Sequence, residues 1–242
     1  MNPIFRTDSY CSEVNTVVDF LEEEGSTQLI SFRDSLFTQG GGQPRDYGVI
    51  HFQDTQSEVL ELVKHKGDIR VRIDKIAGLK KSDLVLCKLD FTRRYKIMRL
   101  HTAQHALAGA FNKICPDYVS KGMQIAEDLS YCEMSFLSQE NLDNSNIEQA
   151  KEIISNCIKQ ESKVYYETLS SIEEAKSKYP KIFRPGDPDI QIKGKVRIIV
   201  IENLDANPCG GTHLKLITEI GDISTLELDK QISNWRLKFQ LN

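Results

Sequence analysis

Hydrophobic and polar residues alternate in several short stretches of the first 90 residues, and turn residues such as glycine separate these stretches. A period of two is typical of β-strands that have one buried face. The predicted strands cover residues 28–32, 48–52, 59–63, 69–73 and 84–89. Because short strands at a spacing of about ten residues are typical of small barrels, we predict a β-barrel in this part of the chain.

After residue 90 the apolar residues recur at helical spacing. The elements predicted here are helices over residues 94–113, 146–163 and 172–178, a hairpin over 122–136, a proline-rich turn over 183–188, and strands over 195–202, 223–228 and 235–241. Ser145 and Glu148 have the spacing of a capping box at the start of the second helix. The chain is therefore predicted to be an α+β protein, with a small β-barrel domain over residues 1–90 and an α+β domain over residues 91–242.

The composition is that of an ordinary globular protein, because 40% of the 242 residues are hydrophobic and 27% are charged. No apolar stretch approaches the roughly 20 residues that span a bilayer, and the N-terminus lacks the basic and apolar regions of a secretory signal. The six cysteines are scattered without a CxxC pair, which suits a reducing compartment. We therefore expect a cytoplasmic protein with no membrane partner.

Positive charge is concentrated just before residue 101, although the net charge of the whole chain is −4. The negative total argues against binding to nucleic acid through bulk electrostatics. The local cluster consists of Arg93, Arg94, Lys96 and Arg99. Such a cluster is either ordinary solvated surface or a set of contacts to nucleic-acid phosphates, and its composition leaves both interpretations open.

Two pairs of metal-binding residues occur in the second domain. His101 and His105 are four residues apart in a predicted helix, so both imidazoles lie on one face. Cys209 and His213 lie in the sequence NPCGGTH, whose glycines let the backbone approach an ion closely. Three imidazoles and one thiolate are a suitable tetrahedral set for zinc. Three of the five histidines belong to these motifs, which favours one zinc ion per chain over unrelated histidines and a buried cysteine.

The predicted zinc site can be structural or functional, because four protein ligands fill a tetrahedral shell. No glutamate follows His101, so the HExxH general base of metalloproteases is missing. The ligands come from distant segments, and the polar residues Gln104 and Thr212 lie between them in the two motifs. This arrangement favours a functional site at which zinc positions or polarises a substrate or a water molecule. The sequence identifies no catalytic base.

Three motifs in combination resemble those of a known family. HTAQH at residues 101–105, CGGTH at 209–213 and GGGQPRDYG at 40–48 are similar to motifs of the editing domain of alanyl-tRNA synthetase. They are more similar still to those of the freestanding AlaX-type alanyl-tRNA editing proteins, and the resemblance covers nearly the whole chain. The editing domain of threonyl-tRNA synthetase shares the histidine and cysteine motifs, but the glycine-rich motif is not expected there.

The resemblance implies hydrolysis of the ester that joins a wrong amino acid to alanine tRNA, chiefly serine, with glycine as the second candidate. It implies a β-barrel followed by a zinc-dependent editing domain that uses the four ligands named above. It also places the glycine-rich loop and the hairpin near the amino-acid pocket. The substrate contacts expected on this basis are Gly41, Gly42, Gln43 and Gln124. Gln104 and Thr212 are added to them because they lie between zinc ligands in the two motifs. The tRNA contacts expected are Arg93, Arg94, Lys96 and Arg99.

Editing has a physical reason, because a pocket built for alanine cannot strongly reject glycine or serine, so that a second hydrolytic sieve is needed. A chain of 242 residues leaves no room for a synthetase activation domain, so we expect the protein to act in trans. A monomer is favoured over an oligomer, and the sequence leaves the oligomeric state open. Two alternatives stay open. One is a tRNA-binding module with a structural zinc and no turnover, and the other is a zinc hydrolase of free small esters or amides.

Overall fold

The first unit of the chain, Met1–Lys96, is a closed barrel of six antiparallel strands in the computed structural model. Its elements in chain order are β1 (Asn2–Pro3), α1 (Ile4–Thr7), β2 (Glu13–Glu24), β3 (Thr27–Phe32), β4 (Asp34–Ser35), β5 (Gly48–Phe52), β6 (Thr55–His65), β7 (Asp68–Asp74) and β8 (Leu84–Leu89). The barrel closes in the order β2-β3-β7-β6-β5-β8, and β1 pairs with β4 in a separate sheet. The predicted barrel is therefore confirmed.

The structure describes residues 2–65, 68–115, 117–183 and 194–242. Most of the turn predicted over residues 183–188 lies outside these ranges. Within them, no helix combines the length and the apolar character that crossing a bilayer would require.

Alternating side chains of the barrel strands fill its interior. On β7, Ile69, Val71 and Ile73 are buried while the residues between them are partly exposed, as a period of two requires. The 12-residue strand β2 was not predicted, because three consecutive exposed glutamates at its end hide any alternation. Backbone pairing with β3 and β8 defines this strand instead.

The second unit, Ile97–Asn242, combines helices with two antiparallel sheets. The elements in chain order are α2 (Phe91–Ile114), β9 (Val119–Ile125), β10 (Cys132–Leu137), α3 (Asn144–Lys159), β11 (Val164–Leu169), α4 (Ile172–Lys178), β12 (Val196–Ile201), β13 (Asp205–Pro208), a 3-10 helix (Ile217–Ile220), β14 (Ile223–Lys230) and β15 (Trp235–Leu241). The larger sheet has the order β14-β15-β10-β9, and the smaller has the order β11-β12-β13. The predicted α+β class is confirmed.

The middle of α2 is buried on all sides. Every residue from 100 to 111 is buried, which is the behaviour of a helix in the interior of a protein rather than on its surface. Small side chains such as Ala103, Ala106 and Ala108 let neighbouring elements pack closely around it. Because His101 and His105 lie in this stretch, both imidazoles belong to the interior of the second unit.

The start of α3 differs from the prediction. Its N-cap is Asp143, whose carboxylate accepts the Ser145 backbone N–H, while the Asn146 side chain accepts the Asp143 N–H. Aspartate and serine are both good N-cap residues, so the sequence offered two positions and the earlier one is used. The predicted capping box of Ser145 and Glu148 is therefore wrong.

Candidate metal centre

Four metal-binding side chains meet in the second unit. His101 and His105 lie one turn apart on the buried part of α2, and Cys209 and His213 lie in the loop that follows β13. One nitrogen or sulfur atom of each residue lies within 4.8 Å of the corresponding atoms of the others. The three imidazoles are buried and Cys209 is half-buried. The fold thus brings together all four residues that the two motifs single out, across more than 100 residues of sequence.

The donor atoms have the spacing that a tetrahedral zinc ion requires. Cys209 Sγ lies 3.6 Å from His101 Nε2 and 3.3 Å from His213 Nε2. Zinc bonds of about 2.0–2.1 Å to nitrogen and about 2.3 Å to sulfur, arranged tetrahedrally, place neighbouring nitrogen and sulfur atoms roughly 3.5 Å apart. The residues present therefore fit a zinc ion both in donor chemistry and in spacing.

The surroundings of Cys209 and His213 favour the protonation states that a metal ion needs, a thiolate and a neutral imidazole. Burial raises the pKa of the Cys209 thiol, but the imidazoles of His101 and His213 lower it more, so that this pKa lies well below its ordinary value. Burial, together with the charge of His101, lowers the pKa of His213 well below its ordinary value. A deprotonated sulfur and a neutral ring are the forms in which these side chains bind a metal.

His105 is oriented by a buried carboxylate that the sequence analysis did not identify. His105 Nδ1 lies 2.8 Å from Asp205 Oδ2, and the two side chains are 2% and 0% exposed. Burial lowers the pKa of His105, but the hydrogen bond to Asp205 raises it, and the balance lies above the ordinary value. A carboxylate bound to one ring nitrogen fixes the tautomer and leaves the other nitrogen to a metal. No motif draws attention to Asp205, which stands four residues before Cys209.

A glycine on α2 lets Asp205 reach this position. Gly109 lies one turn after His105 on the same face of the helix. A Cβ atom at position 109 would lie 2.7 Å from the backbone oxygen of Leu204 and 3.0 Å from Cβ of Asp205. A Cβ atom essentially never lies closer than 3.0 Å to a backbone oxygen, so the turn between β12 and β13 approaches the helix this closely because residue 109 has no side chain.

Thr102 fixes the ligand at the end of the loop. Its Oγ1 atom lies 3.3 Å from His213 Nδ1 and accepts the backbone N–H of Leu214 at 3.1 Å. The threonine is fully buried and follows His101 directly on α2. One hydroxyl group therefore holds both the imidazole and the backbone beside it, with Nε2 of the ring facing Cys209.

Arg197 on β12 holds the rest of the ligand loop. Its Nη1 atom donates to the carbonyl oxygens of Cys209 at 2.8 Å and of Gly211 at 3.1 Å. The guanidinium carbon also lies 5.0 Å from the ring centre of Tyr166 on β11, within the range of a cation–π contact. Within the loop, the Gly211 N–H donates to Cys209 Sγ at 3.4 Å. No sequence pattern indicated this role, because Arg197 lies inside an otherwise apolar strand.

The cluster is open to solvent on the side of Cys209. Gly210 is exposed, and a Cβ atom added there would meet no other group within 4 Å. The three histidines, in contrast, are 5% exposed or less. Among the surroundings of the cluster, exposure to solvent is therefore greatest along the Cys209–Gly210 segment.

The polar residues expected to contact the substrate lie in different surroundings. Gln104 is 4% exposed on α2, and Thr212 is fully buried in the ligand loop. Gln124 is exposed on β9, where its amide donates to the carbonyl of the adjacent Ile125 at 3.2 Å. The contribution of each of these residues to substrate binding stays a prediction, and burial favours Thr212 and Gln104 over Gln124.

The glycine-rich motif forms a tight loop in the first unit. Gly41 and Gly42 have φ values of 68° and 80°, which glycine adopts without strain. The Gly40 N–H donates to the Gln43 carbonyl at 2.9 Å, and Gln43 is buried. The carboxylate of Asp46 accepts a backbone N–H from the other end of the loop at 2.6 Å. The loop is therefore held by its own hydrogen bonds, and its contact with substrate stays a prediction.

The four basic residues expected to contact tRNA do not all lie at the surface. Arg94 is fully buried and makes two hydrogen bonds to the carboxylate of Asp46, at 2.8 Å and 2.7 Å. A buried guanidinium in a bidentate pair cannot reach a phosphate, so the expectation for Arg94 is wrong. Arg99 is half-buried and donates to two backbone carbonyls of the last segments of the chain. Arg93 is half-buried and Lys96 is exposed.

Known proteins resemble the chain over most of its length. The AlaX-M alanyl-tRNA editing protein of Methanosarcina barkeri is 30% identical over 246 residues, which cover 98% of this chain and 98% of the relative. The AlaX-L alanyl-tRNA editing protein of Pyrococcus horikoshii is 31% identical over 241 residues, which cover 98% of this chain and 57% of the relative. The chain thus spans little more than half of that second protein. No protein-family model matches the chain.

A synthetase is also similar. The alanine–tRNA ligase of Ignicoccus hospitalis is 28% identical over 233 residues, which cover 94% of this chain but only 24% of the ligase. The similarity to the ligase is therefore confined to about a quarter of that enzyme.

Proposed function

The chain belongs to the AlaX family of alanyl-tRNA editing proteins, and on that premise we propose that it hydrolyses mischarged alanine tRNA in trans. The substrates are Ser-tRNA(Ala) and, as the second candidate, Gly-tRNA(Ala). The bond that breaks is the ester between the amino acid and the terminal ribose, and water supplies the hydroxyl group. The single observation that carries the proposal is the buried cluster of three histidines and one cysteine with an open side at Cys209.

We propose that His101, His105, Cys209 and His213 hold one zinc ion per chain. Bound there, zinc supplies a Lewis acid to the ester. The chain itself orients the ligands through Asp205, Thr102 and Arg197, whose hydrogen bonds are described above. Because these partners are buried or half-buried, the ligands keep their arrangement while a substrate enters and leaves.

Zinc content tests the ligand assignment directly. We expect one zinc ion per purified chain and little or none in the Cys209→Ala variant. The variant keeps the three imidazoles but lacks the thiolate, which is the strongest donor of the set. Cys11→Ala is a matched control, since Cys11 is also a half-buried free cysteine but lies in the first unit. Elemental analysis of the three proteins measures the content. Equal zinc in all three would show that Cys209 is not a ligand.

Deacylation tests the proposed activity. The protein is incubated with alanine tRNA charged with serine, glycine or alanine, and the remaining charged fraction is followed over time. We expect the serine ester to be hydrolysed and the alanine ester to be largely spared, with loss of activity on chelation and recovery on addition of zinc. Binding of the tRNA without any turnover would favour the alternative of a tRNA-binding module with a structural zinc. Hydrolysis of a free serine ester as fast as the charged tRNA would favour a general esterase.

A further inference from the structure

One face of the smaller sheet carries both the carboxylate that orients His105 and a partly exposed tyrosine. Side chains two residues apart along a strand point to the same face of a sheet, so Asp205 shares its face with Cys209, whose N–H still pairs with β12. The strand pairings place Arg197 on β12 and Tyr166 on β11 on this face as well. Because Asp205 contacts His105 on α2, this is the face that is turned towards the candidate metal ligands.

Tyr166 stays exposed although its strand partner on this face is buried. Tyr166 is 39% exposed, whereas Ile199, which is paired with it, is 1% exposed. The guanidinium carbon of Arg197 lies 5.0 Å from the centre of the tyrosine ring, and this cation–π contact restrains the ring. An aromatic ring that is already restrained loses little conformational freedom when another planar group stacks on it. The ring is therefore suited to binding a flat, unsaturated group from solvent.

The same guanidinium connects this tyrosine to the ligand loop. Arg197 Nη1 donates to the carbonyl oxygen of Cys209 at 2.8 Å. Together the two contacts of Arg197 place the centre of the Tyr166 ring within about 9 Å of that oxygen. Since the cluster is most exposed to solvent along the Cys209–Gly210 segment, the ring stands beside the exposed side of the cluster.

We infer that Tyr166 stacks on the terminal base of the tRNA. This inference rests on the proposed function, in which the ester joins the amino acid to the terminal ribose. That ribose also carries the terminal base, so the base lies only one sugar away from an ester held at the cluster. Aromatic side chains stack on the unpaired bases of RNA ends. Tyr166 is then a positioning residue, which holds the ester in place and takes no part in breaking the bond.

The test compares two small serine esters, one of adenosine and one of methyl riboside, which lacks the base. We expect the wild type to hydrolyse the adenosine ester with a kcat/KM about 10- to 100-fold higher, the gain that stacking of one base supplies. In Tyr166→Ala this ratio should fall to near one, because only the adenosine ester can stack, whereas Tyr166→Trp should keep it. An unchanged ratio in Tyr166→Ala would overturn the inference, even if both rates fell together, as they would on loss of a merely structural support.

Tyr165→Ala is the matched control. Tyr165 is the adjacent tyrosine of β11 and is 37% exposed, but its side chain points to the opposite face of the sheet. This variant is expected to keep the wild-type ratio of the two esters. An equal fall of the ratio in both variants would show that the loss is not specific to Tyr166, and would overturn the inference.

A binding measurement separates this inference from the proposed activity. Alanine tRNA is prepared with a fluorescent adenine analogue as its terminal base, whose emission falls when it stacks, and with serine attached through an amide that is not hydrolysed. We expect quenching by the wild type and by Tyr165→Ala, but not by Tyr166→Ala. Quenching that depends on Tyr166 without hydrolysis of any ester would reject the proposed activity and keep the inference. Hydrolysis of Ser-tRNA(Ala) without such quenching would keep the activity and overturn the inference.

Discussion

Asp205 and Asp46 are both buried carboxylates, and each is tolerated because of the side chain that it faces. Asp205 is fully buried and bonds to a ring nitrogen of His105, while Asp46 is 1% exposed and forms two hydrogen bonds with Arg94. A buried charge is costly unless donors surround it. In the second unit the carboxylate orients a candidate metal ligand. In the first unit it anchors the loop that carries the glycine-rich motif.

The role of Asp205 leads to a prediction about metal affinity. Asp205→Asn keeps the shape of the side chain but removes the charge that favours the Nδ1–H form of His105, so zinc affinity should fall about 10- to 100-fold. Competition with a fluorescent zinc chelator measures this change. Asp222→Asn is the control, because Asp222 is an exposed aspartate of the same unit. Unchanged affinity in the Asp205 variant would mean that the carboxylate does not tune the site.

The ion pair of Arg94 with Asp46 leads to a prediction about stability. Arg94→Met leaves a buried carboxylate without its partner, and the free energy of unfolding should fall by about 3–5 kcal/mol. The double variant Arg94→Met, Asp46→Leu removes both charges and should recover part of this loss, because the buried Thr38 N–H then lacks its acceptor. Urea denaturation followed by far-ultraviolet circular dichroism measures both changes. A double variant as unstable as the single one would show that packing, and not the unpaired charge, causes the loss.

At the scale of the elements, the sequence predicted several with the bounds that the structure has, among them the strands Gly48–Phe52 and Leu84–Leu89 and the helix Ile172–Lys178. Buried positions alternate in Leu84–Leu89, whereas the other two elements each bury a single residue, Ile50 and Ala175. Strand β13 (Asp205–Pro208) was not predicted, since its four residues carry no alternation and a proline. It exists because it pairs with β12, and that pairing brings Asp205 to α2. The partner of His105 was therefore invisible to any local pattern.

The packing of α2 against the turn before β13 leads to a prediction at this scale. Gly109→Ala would by itself stabilise a helix by roughly 0.5–1 kcal/mol. Here the new Cβ would lie 2.7 Å from the Leu204 backbone oxygen, so the turn has to move and Asp205 moves with it. We expect a lower melting temperature and weaker zinc binding, measured by calorimetry and chelator competition. Gly210→Ala, at an open position, should change neither stability nor the position of Asp205. A stabilised Gly109→Ala variant would contradict this account of the packing.

At the scale of the whole molecule, the candidate ligands were predictable because their chemistry is rare. Three of five histidines fall into two motifs, and the resemblance of those motifs to the AlaX-type editing proteins identified the family. The basic cluster was less predictable, because its four residues share one stretch of helix but not one environment. Arg94 points into the barrel unit, whereas Lys96 is exposed. The spacing of these residues does not show which of them are buried and which are exposed, since side chains a few positions apart on a helix face different directions.

The proposed editing activity requires selectivity between amino acids, which is a property of the molecule as a whole. Alanine is smaller than serine and enters any pocket that serine enters, so size exclusion cannot spare the correctly charged tRNA. A polar group that pairs with the serine hydroxyl in the transition state can spare the correctly charged tRNA, because this group is left unpaired when alanine is bound. We therefore expect Ser-tRNA(Ala) to be hydrolysed at least about 100-fold faster than Ala-tRNA(Ala).

Thr212 is the residue to test first, because it is fully buried in the ligand loop, and Gln124 is the comparison, because it is exposed on β9. Thr212→Val removes the hydroxyl and should lower the rate on the serine ester roughly tenfold or more, with the slow alanine rate nearly unchanged. The variants must keep one zinc ion per chain, because only then does a changed deacylation rate reflect substrate recognition and not loss of the metal. Single-turnover deacylation of both charged tRNAs gives the ratio. Similar wild-type rates on serine and alanine would reject hydroxyl recognition altogether, whereas an unchanged ratio in both variants would reject only the choice of these two residues.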